Sequence, residues 1–510
     1  MSRRKQGSFK DYQEEMEIQI ARVTREFEEA DLSDDLFYID YTLRAIFDSL
    51  ELNKSQGWTE HMNPGTKAAW ESPAEFRKLI SFIKARLFVR MVFGFESMAL
   101  LTPHDAVYYG IKDPEKLFIK DEPHSQAKID SNRYRLIWAP SLADTLLLGL
   151  TTRRFDKQNI ACFQLGDVDS YGIGMGHHDA GLSRTGVVIG RMLVEAHANG
   201  YRTIQGADYS GWDISVCRDA MLSVSQVRKN KVSGLDPYAT SLAHEIIDIE
   251  HLCLSSHVIE VDGTLTTVRV FGIVGSGTLV TGSNNTLANL LMTSVAGARD
   301  MHCVSDDNIY WGKVDPAAID AFGLTLKDTV RCTIEYDRGM LKVENVPFTS
   351  HVYTVSQVLP ATPPHEMLVQ STKVGKPFTK KPTVQVEYAN PSKLLANLVH
   401  KTKHVGWLVG GQVMTHTVDE DIVRGVAFAL RHSEYLTDVV QEYLELIDPD
   451  RFDSQWVHLF QVLDPDWVER LPDDFGIEAS RFEDPVPRFQ RTWPRHVPPP
   501  PHNRRLLDLV

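Results

Sequence analysis

Apolar and polar positions alternate along this chain in patterns that change from one segment to the next. In residues 8–30, Tyr12, Met16, Ile20 and Val23 recur at helical spacing among charged neighbours and predict a surface helix. Residues 67–101 read as a longer, more apolar helical stretch, and residues 203–208 as a short strand ending in Asp208. From Thr281 to Ala298, the positions Leu287, Leu290, Leu291 and Val295 share one helix face. Residues 301–311 predict two short strands around a polar turn. Beyond about residue 411 the chain becomes acidic with helical periodicity, and it ends in HVPPPPHNRRLLDLV, a Pro-rich stretch expected to be mobile. No internal repeat is visible.

Composition sharpens this picture at three points. With 510 residues, 43% of them hydrophobic, the chain can bury a large core divided over two to four lobes. The formal net charge of -14 weighs against a nucleic-acid partner. Phosphate contacts are local, however, and a basic channel can sit within an acidic shell. Two stretches could supply one: residues 120–137, and residues 370–404 with Lys373, Lys376, Lys380, Lys381, Lys393, Lys401 and Lys403. The five cysteines are scattered without a CxxC pair, which suits a reducing compartment and disfavours a structural zinc site. MSRRKQGSFKDYQEE lacks the apolar core of a signal peptide, and no run of eighteen apolar residues is present, so direct membrane insertion is not expected.

The candidate chemistry begins with carboxylates. GADYSGWDISV (206–216) puts Asp208 at a strand end, and HCVSDDNIYWG (302–312) puts Asp306 and Asp307 in a tight turn. Adjacent acids repel unless cations lie near, and hard divalent cations prefer oxygen ligands. Read alone, either segment is an ordinary solvated turn. Asp213 follows five residues after Asp208. GSGTLVTGSNNTLANLLM (275–292) sets Ser276, Thr281 and Asn285 in the pattern S-G-x3-T-x3-N, where polar side chains entering a helix could read a ribose hydroxyl. In isolation this is a helix capped by Thr281 or Ser283. KDEPHSQAKIDSNRYRLI (120–137) offers Lys120, Lys128, Arg133 and Arg135, able to neutralise a triphosphate or to stand as a solvated loop. His177, His178 and Asp179 in GMGHHDAG find no partners for a metal site, GIGMG (172–176) lacks the frame of a dinucleotide fingerprint, and Trp212 reads as packing.

The order and spacing of these four segments resemble motifs F, A, B and C of the viral RNA-dependent RNA polymerases. KDEPH and SGWD are closest to the sobemovirus, polerovirus and barnavirus group, and FTSHVY (348–353) stands where its motif E should be. The likeness extends over most of 115–355. It implies an α/β (α+β) right-hand fold: fingers over 1–200 with motifs G and F, palm over 201–355 with a fingers insertion at about 225–270, a mostly helical thumb over 356–490, and the tail 491–510. It implies an RNA-directed RNA polymerase that replicates a viral RNA genome from NTPs with two Mg2+ or Mn2+ ions. Asp208, Asp306 and Asp307 would hold the metals, helped by the backbone carbonyl of Ala207 or Tyr209. Asp213, Asn285 and Ser276, with Thr281 nearby, would address the ribose. Lys128 and Arg135 would contact the triphosphate, Lys120 and Arg133 would line its approach, and Lys327 would protonate leaving pyrophosphate. Asn63–Pro64–Gly65–Thr66 would be motif G.

The implied partners are template RNA, product duplex and NTPs, together with a protein primer or other viral replication proteins, in host cytoplasm or virion. The alternatives are a reverse transcriptase-like polymerase and a catalytically inactive RNA-binding relative. Val304–Ser305 before the aspartates and the acid at Asp213 favour ribonucleotides. The family's motif C usually begins with Gly, whereas this chain has Ser305. Because a positive φ costs Ser more than Gly, Ser305 is expected to keep φ negative. Asp213 and Asn285 are expected within hydrogen-bond reach of each other.

Overall fold

The computed structural model describes residues 7–447 apart from 53, 58–64, 121, 124–125, 133, 166–167, 177–178, 262–263, 269–273, 360–381, 402, 406–414, 418–419 and 431–433. Arg133, Asn63, Pro64, His177, His178, Lys373, Lys376, Lys380, Lys381 and the Pro-rich tail therefore lie outside the described residues.

Helix starts are written plainly in the chain. Ser72–Pro73, Thr102–Pro103, Asp236–Pro237 and Asp315–Pro316 each open a helix, with the first residue accepting a backbone N–H and Pro at the first helical position. The pairing works because the side-chain oxygen satisfies an orphan donor while Pro lacks one to satisfy. The helix Pro73–Ala99 is interrupted at Gly94, where φ is +69°.

A four-stranded antiparallel sheet lies at the centre, in the spatial order Leu326–Thr333, Thr203–Tyr209, Asp307–Gly312, Ala298–Val304. Strand side chains alternate between its two faces. Ala207, Tyr209, Tyr310 and Cys303 join a core with the helices Gln13–Glu26, Arg218–Lys229 and Thr281–Val295. Ile204, Ile309, Trp311 and Cys332 join a second core with the helix Asp179–Ala198. Leu287, Leu290 and Leu291 are fully buried, as their spacing predicts, and each contributes roughly 2 kcal/mol of apolar burial. The helix Gln13–Glu26 is less superficial than its charge suggests, since Met16 and Val23 are buried against the central core.

A second sheet runs Leu136–Ala139, Glu115–Ile119, Val258–Val261, Thr264–Thr267. It joins the cationic stretch 120–137 to the chain between the two carboxylate segments. A third sheet contains Met340–Phe348 and His351–Val358. FTSHVY forms its hairpin, with Thr349 and Ser350 both at positive φ. The helices Pro391–Lys401, Glu420–Leu430 and Glu434–Ile447 form a core of their own. Among the described residues no helix is long and apolar enough to cross a membrane.

Candidate active site

Asp306 and Asp307 are delivered by a hairpin in the central sheet. Val304 pairs with Asp307, leaving Ser305 and Asp306 as a two-residue loop. Ser305 has φ +57°, whereas Asp306 is not among the residues of positive φ. The expectation of a negative φ at Ser305 is therefore overturned. Two-residue loops between right-twisted strands need a positive φ at their first residue or at both, which is why Gly is favoured there. Two contacts hold the strained residue: its N–H donates to Thr286 Oγ1 at 2.7 Å, and its carbonyl accepts from Asn289 Nδ2 at 3.1 Å. Ser305→Gly should accordingly keep activity and stabilise the protein by about 1 kcal/mol. A denaturant midpoint unchanged or lowered in that variant would contradict the strain.

Both carboxylates of the turn are reached by solvent yet crowded by protein. The Asp307 carboxyl is pushed up to about 6, by burial first and then by the charges of Asp306 and Asp208. Asp306 is also raised, by burial and then by Asp213 and Asp208, while its own N–H and Arg135 pull it back. Four acids and one Arg thus share a common field. Asp208 sits near the end of its strand and ion-pairs with Lys327 Nζ at 2.8 Å. Lys327 lies at the register shift between Leu326 and Asp328, opposite the Tyr209–Asp208 pair, and such an irregularity re-aims a side chain. Both partners are more than half exposed, so the pair is weak and readily exchanged for another cation.

The donor set fits a divalent cation in kind, being all carboxylate oxygen with mutual repulsion that a cation would relieve. Among the described residues, no three acidic, His or Cys side chains converge at metal-binding spacing, and Asp208 turns instead to Lys327.

Next to the acids, Ser276 Oγ donates to Asp213 Oδ2 at 2.6 Å. Asp213 and Asn285 are not bonded to each other, contrary to expectation; the side chain bonded to the Asp213 carboxylate is that of Ser276. Asn285 is 1% exposed and its Oδ1 is buried without a partner. Such burial holds the side chain in one orientation within the helix. Thr281 spends its hydroxyl on the loop, 2.9 Å from the Gly275 carbonyl. The glycines of that loop permit close approach to the protein's own strand. A Cβ on Gly275 would lie 2.5 Å from Trp138 Cβ, and one on Gly277 would lie 2.6 Å from the Trp138 carbonyl. The Trp138 N–H donates to the Ser276 carbonyl at 2.8 Å, tying the loop to the strand that follows Arg135.

Lys120 pairs with Glu122 at 3.0 Å, and its N–H donates to the Arg135 carbonyl at 2.8 Å. The Glu122 carboxyl is held below its usual range: burial opposes the shift, but Lys120, Arg135 and Lys393 outweigh it. Lys393 therefore shares the field of the cationic loop. Lys128 lies exposed on the short helix Gln126–Asp130. Trp212 is buried and packs on Tyr209 at 5.3 Å between ring centroids. Sequence reasoning missed Asn289, Asn308 and Thr286, whose signal was visible only as polar residues inside an apolar helix and strand.

Comparison with known proteins gives relatives over part of the chain. Protein P1-P2 of Turnip yellows virus is 30% identical over 264 residues, 50% of this chain and 24% of that protein. Replicase polyprotein P2AB of Cocksfoot mottle virus is 30% identical over 254 residues, 49% of this chain and 25% of that protein. The RNA-directed RNA polymerase of Mushroom bacilliform virus is 34% identical over 132 residues, 26% of this chain and 29% of that protein. The chain thus spans about a quarter of the length of these relatives. No family model matches. The Sicinivirus 3Dpol RNA-dependent RNA polymerase matches in fold with TM-score 0.52 at 11% identity, covering 90% of this chain and 87% of that one. The chain has the fold of that viral polymerase, and its sequence relatives are replicase proteins of plant and fungal viruses.

Proposed function

We propose that this chain is a viral RNA-dependent RNA polymerase that joins ribonucleotides on an RNA template. The observation that carries the reading is the shared field of Asp208, Asp213, Asp306, Asp307 and Arg135 on a polymerase fold. Asp208 and Asp306, with Asp307 and the Ala207 or Tyr209 carbonyl, would hold two Mg2+ or Mn2+ ions. When bound, such ions activate the attacking hydroxyl and neutralise charge on the leaving group. The chain's own residues do the rest. Arg135, Lys128 and Lys120 grip and orient the triphosphate, Arg by its planar fork and Lys as point charges. Lys327, which pairs with Asp208, would hold on Nζ the proton that the departing pyrophosphate takes up. Asp213, oriented by Ser276, would accept the one proton of the ribose 2′-hydroxyl, and the Asn285 amide would donate to that hydroxyl's oxygen.

The direct test supplies the protein with a homopolymer template and complementary labelled NTP or dNTP, with Mg2+ or Mn2+, with and without a primer. Incorporation of NTP alone supports the reading. Incorporation of dNTP would indicate a reverse transcriptase, and RNA binding without incorporation would indicate an inactive relative. Asn285→Ala should lower the preference for NTP over dNTP roughly tenfold, the worth of one hydrogen bond to the hydroxyl. An unchanged preference would remove Asn285 from sugar recognition. Such a protein would work in virus-infected cells, with template RNA, product duplex and other viral replication proteins as partners; relatives named as a replicase polyprotein and an RNA-directed RNA polymerase of viruses support the reading.

A further inference from the structure

The helix Thr281–Val295 does more than carry Asn285. One turn further on, Asn289 is fully buried and uses both amide donors and the acceptor oxygen. Its Nδ2 donates to the Ser305 carbonyl at 3.1 Å and to the Asp306 carbonyl at 3.0 Å, so one amide spans both residues of the hairpin loop. Its Oδ1 accepts from Asn308 Nδ2 at 3.0 Å and from Thr293 Oγ1 at 2.9 Å. Asn308 Oδ1 in turn accepts the N–H of Ala207 at 3.0 Å, and Ala207 precedes Asp208. The Thr293 hydroxyl also lies 2.8 Å from the Tyr209 hydroxyl, on the other side of Asp208 in sequence.

We infer that Asn289 is a positioning residue that sets the placement of Asp306 relative to Asp208, with Asn308 as its relay. The inference rests on the polymerase reading of those aspartates. Its physical basis is the topology of the bonds. Thr203–Tyr209 and Asp307–Gly312 are paired in register only at Gln205 and Tyr310, three residues short of Asp208. The sheet ladder therefore stops before the acids, and the buried amides take over where it ends. The turn they hold is also strained at Ser305, so without the two bonds from Asn289 it has an incentive to relax. Only a side chain that both donates twice and accepts twice can fill this position, and Asn is the residue of that length which does so.

The test uses the full chain and two neutral, nearly isosteric variants that leave the charge around the acids unchanged. Asn289→Leu breaks every arm of the hub, and Asn308→Leu removes the relay alone, both its bond to Asn289 and its bond to the Ala207 N–H. Mn2+ binding is measured by electron paramagnetic resonance titration without nucleotide, alongside kcat and KM for NTP and a thermal midpoint. Both variants, at temperatures where they are folded, are expected to weaken Mn2+ binding at least tenfold and lower kcat at least a hundredfold. KM for NTP should stay within threefold. A residue of merely structural importance would lower the thermal midpoint without moving Mn2+ affinity in the folded protein. Should Asn289→Leu fail to fold, Thr286→Val, which removes the acceptor of the Ser305 N–H together with the hydroxyl's own bond to the Gly282 carbonyl, carries the comparison with an expected threefold or greater loss of Mn2+ affinity. Folded variants with wild-type Mn2+ affinity and kcat overturn the inference. A wild-type protein that binds Mn2+ but incorporates no nucleotide overturns the polymerase reading instead, and the Mn2+ titrations still decide the role of Asn289.

Discussion

Asp208→Ala and Asp306→Ala are each expected to lower nucleotide incorporation by roughly a thousandfold or more while leaving the protein folded. Each would remove a carboxylate ligand that no neighbour can replace, and metal stabilisation of the displacement amounts to several kcal/mol. The fold should survive because these acids repel one another. Burial and the neighbouring acids raise Asp307 to about 6, so deleting one charge relieves its neighbours. A second readout is independent of catalysis. Divalent ions that bind only the folded protein raise its stability, by about 2.7 kcal/mol at a hundred times Kd. The thermal midpoint of the wild type should therefore climb with Mg2+ or Mn2+, and that of either variant should respond far less. Near wild-type turnover in either variant would remove it from the metal set. A metal-dependent midpoint that survives in both would place the binding elsewhere.

Much of this site was legible in the sequence, because local chemistry dictated it. Asp208 at a strand end, Asp306 and Asp307 at a tight turn between strands, and Ser276 ahead of an apolar helix all follow from period and turn signals. What failed was long-range. Ser305 was expected to avoid positive φ from its own preference, but the pairing of Val304 with Asp307 fixes the loop at two residues and overrides that preference. Asp213 and Asn285 were expected to bond from a shared task, whereas the bond that forms is from Ser276 to Asp213, and a shared ligand does not require two side chains to touch. Nor does anything local say that Gly275 and Gly277 are there to admit the side chain and carbonyl of Trp138. Asn289 and Asn308 could not be singled out, since nothing local says which polar residues of a helix will face a sheet. The same blindness applied to charge. Arg86 and Arg90, one helical turn apart, look like any solvated pair in sequence, yet they are 3% and 0% exposed.

Those two arginines lead to the largest expected stability effect. Asp144 Oδ1 accepts from Arg86 Nη1 at 2.9 Å and from Arg90 Nη2 at 2.7 Å, while its Oδ2 accepts from the Asp113 N–H at 2.9 Å and the Ser141 hydroxyl at 3.1 Å. Arg86 also grips Asp113 through two nitrogens at 2.7 and 2.8 Å, and Arg90 pairs with Glu250. Burial works to raise the Asp144 carboxyl, but Arg86 and Arg90 outweigh it and hold it below its usual range. Asp144→Ala would remove the carboxylate shared by two buried guanidinium groups, leaving Arg86 to Asp113 and Arg90 to Glu250, and would strip the Asp113 N–H and the Ser141 hydroxyl of their acceptor. The expected cost is about 3–5 kcal/mol, the range for breaking one side of a buried ion pair. Lys78→Ala, which opens the exposed pair with Glu75, should cost well under about 1 kcal/mol. The consequence reaches the proposed site through the chain itself. Asp113 stands just before the strand Glu115–Ile119, whose Glu115 is anchored by Lys112 at 3.2 Å and His257 at 2.8 Å, and Lys120 follows directly. That strand pairs with Leu136–Ala139, which begins immediately after Arg135. At temperatures where Asp144→Ala remains folded, the loosened strand should therefore raise KM for NTP more than it lowers kcat. Chemical denaturation and steady-state kinetics check both halves. An unfolding free energy within 1 kcal/mol of wild type would mean that water replaces the carboxylate around the arginines, and the network would then have no claim on the triphosphate-binding loop.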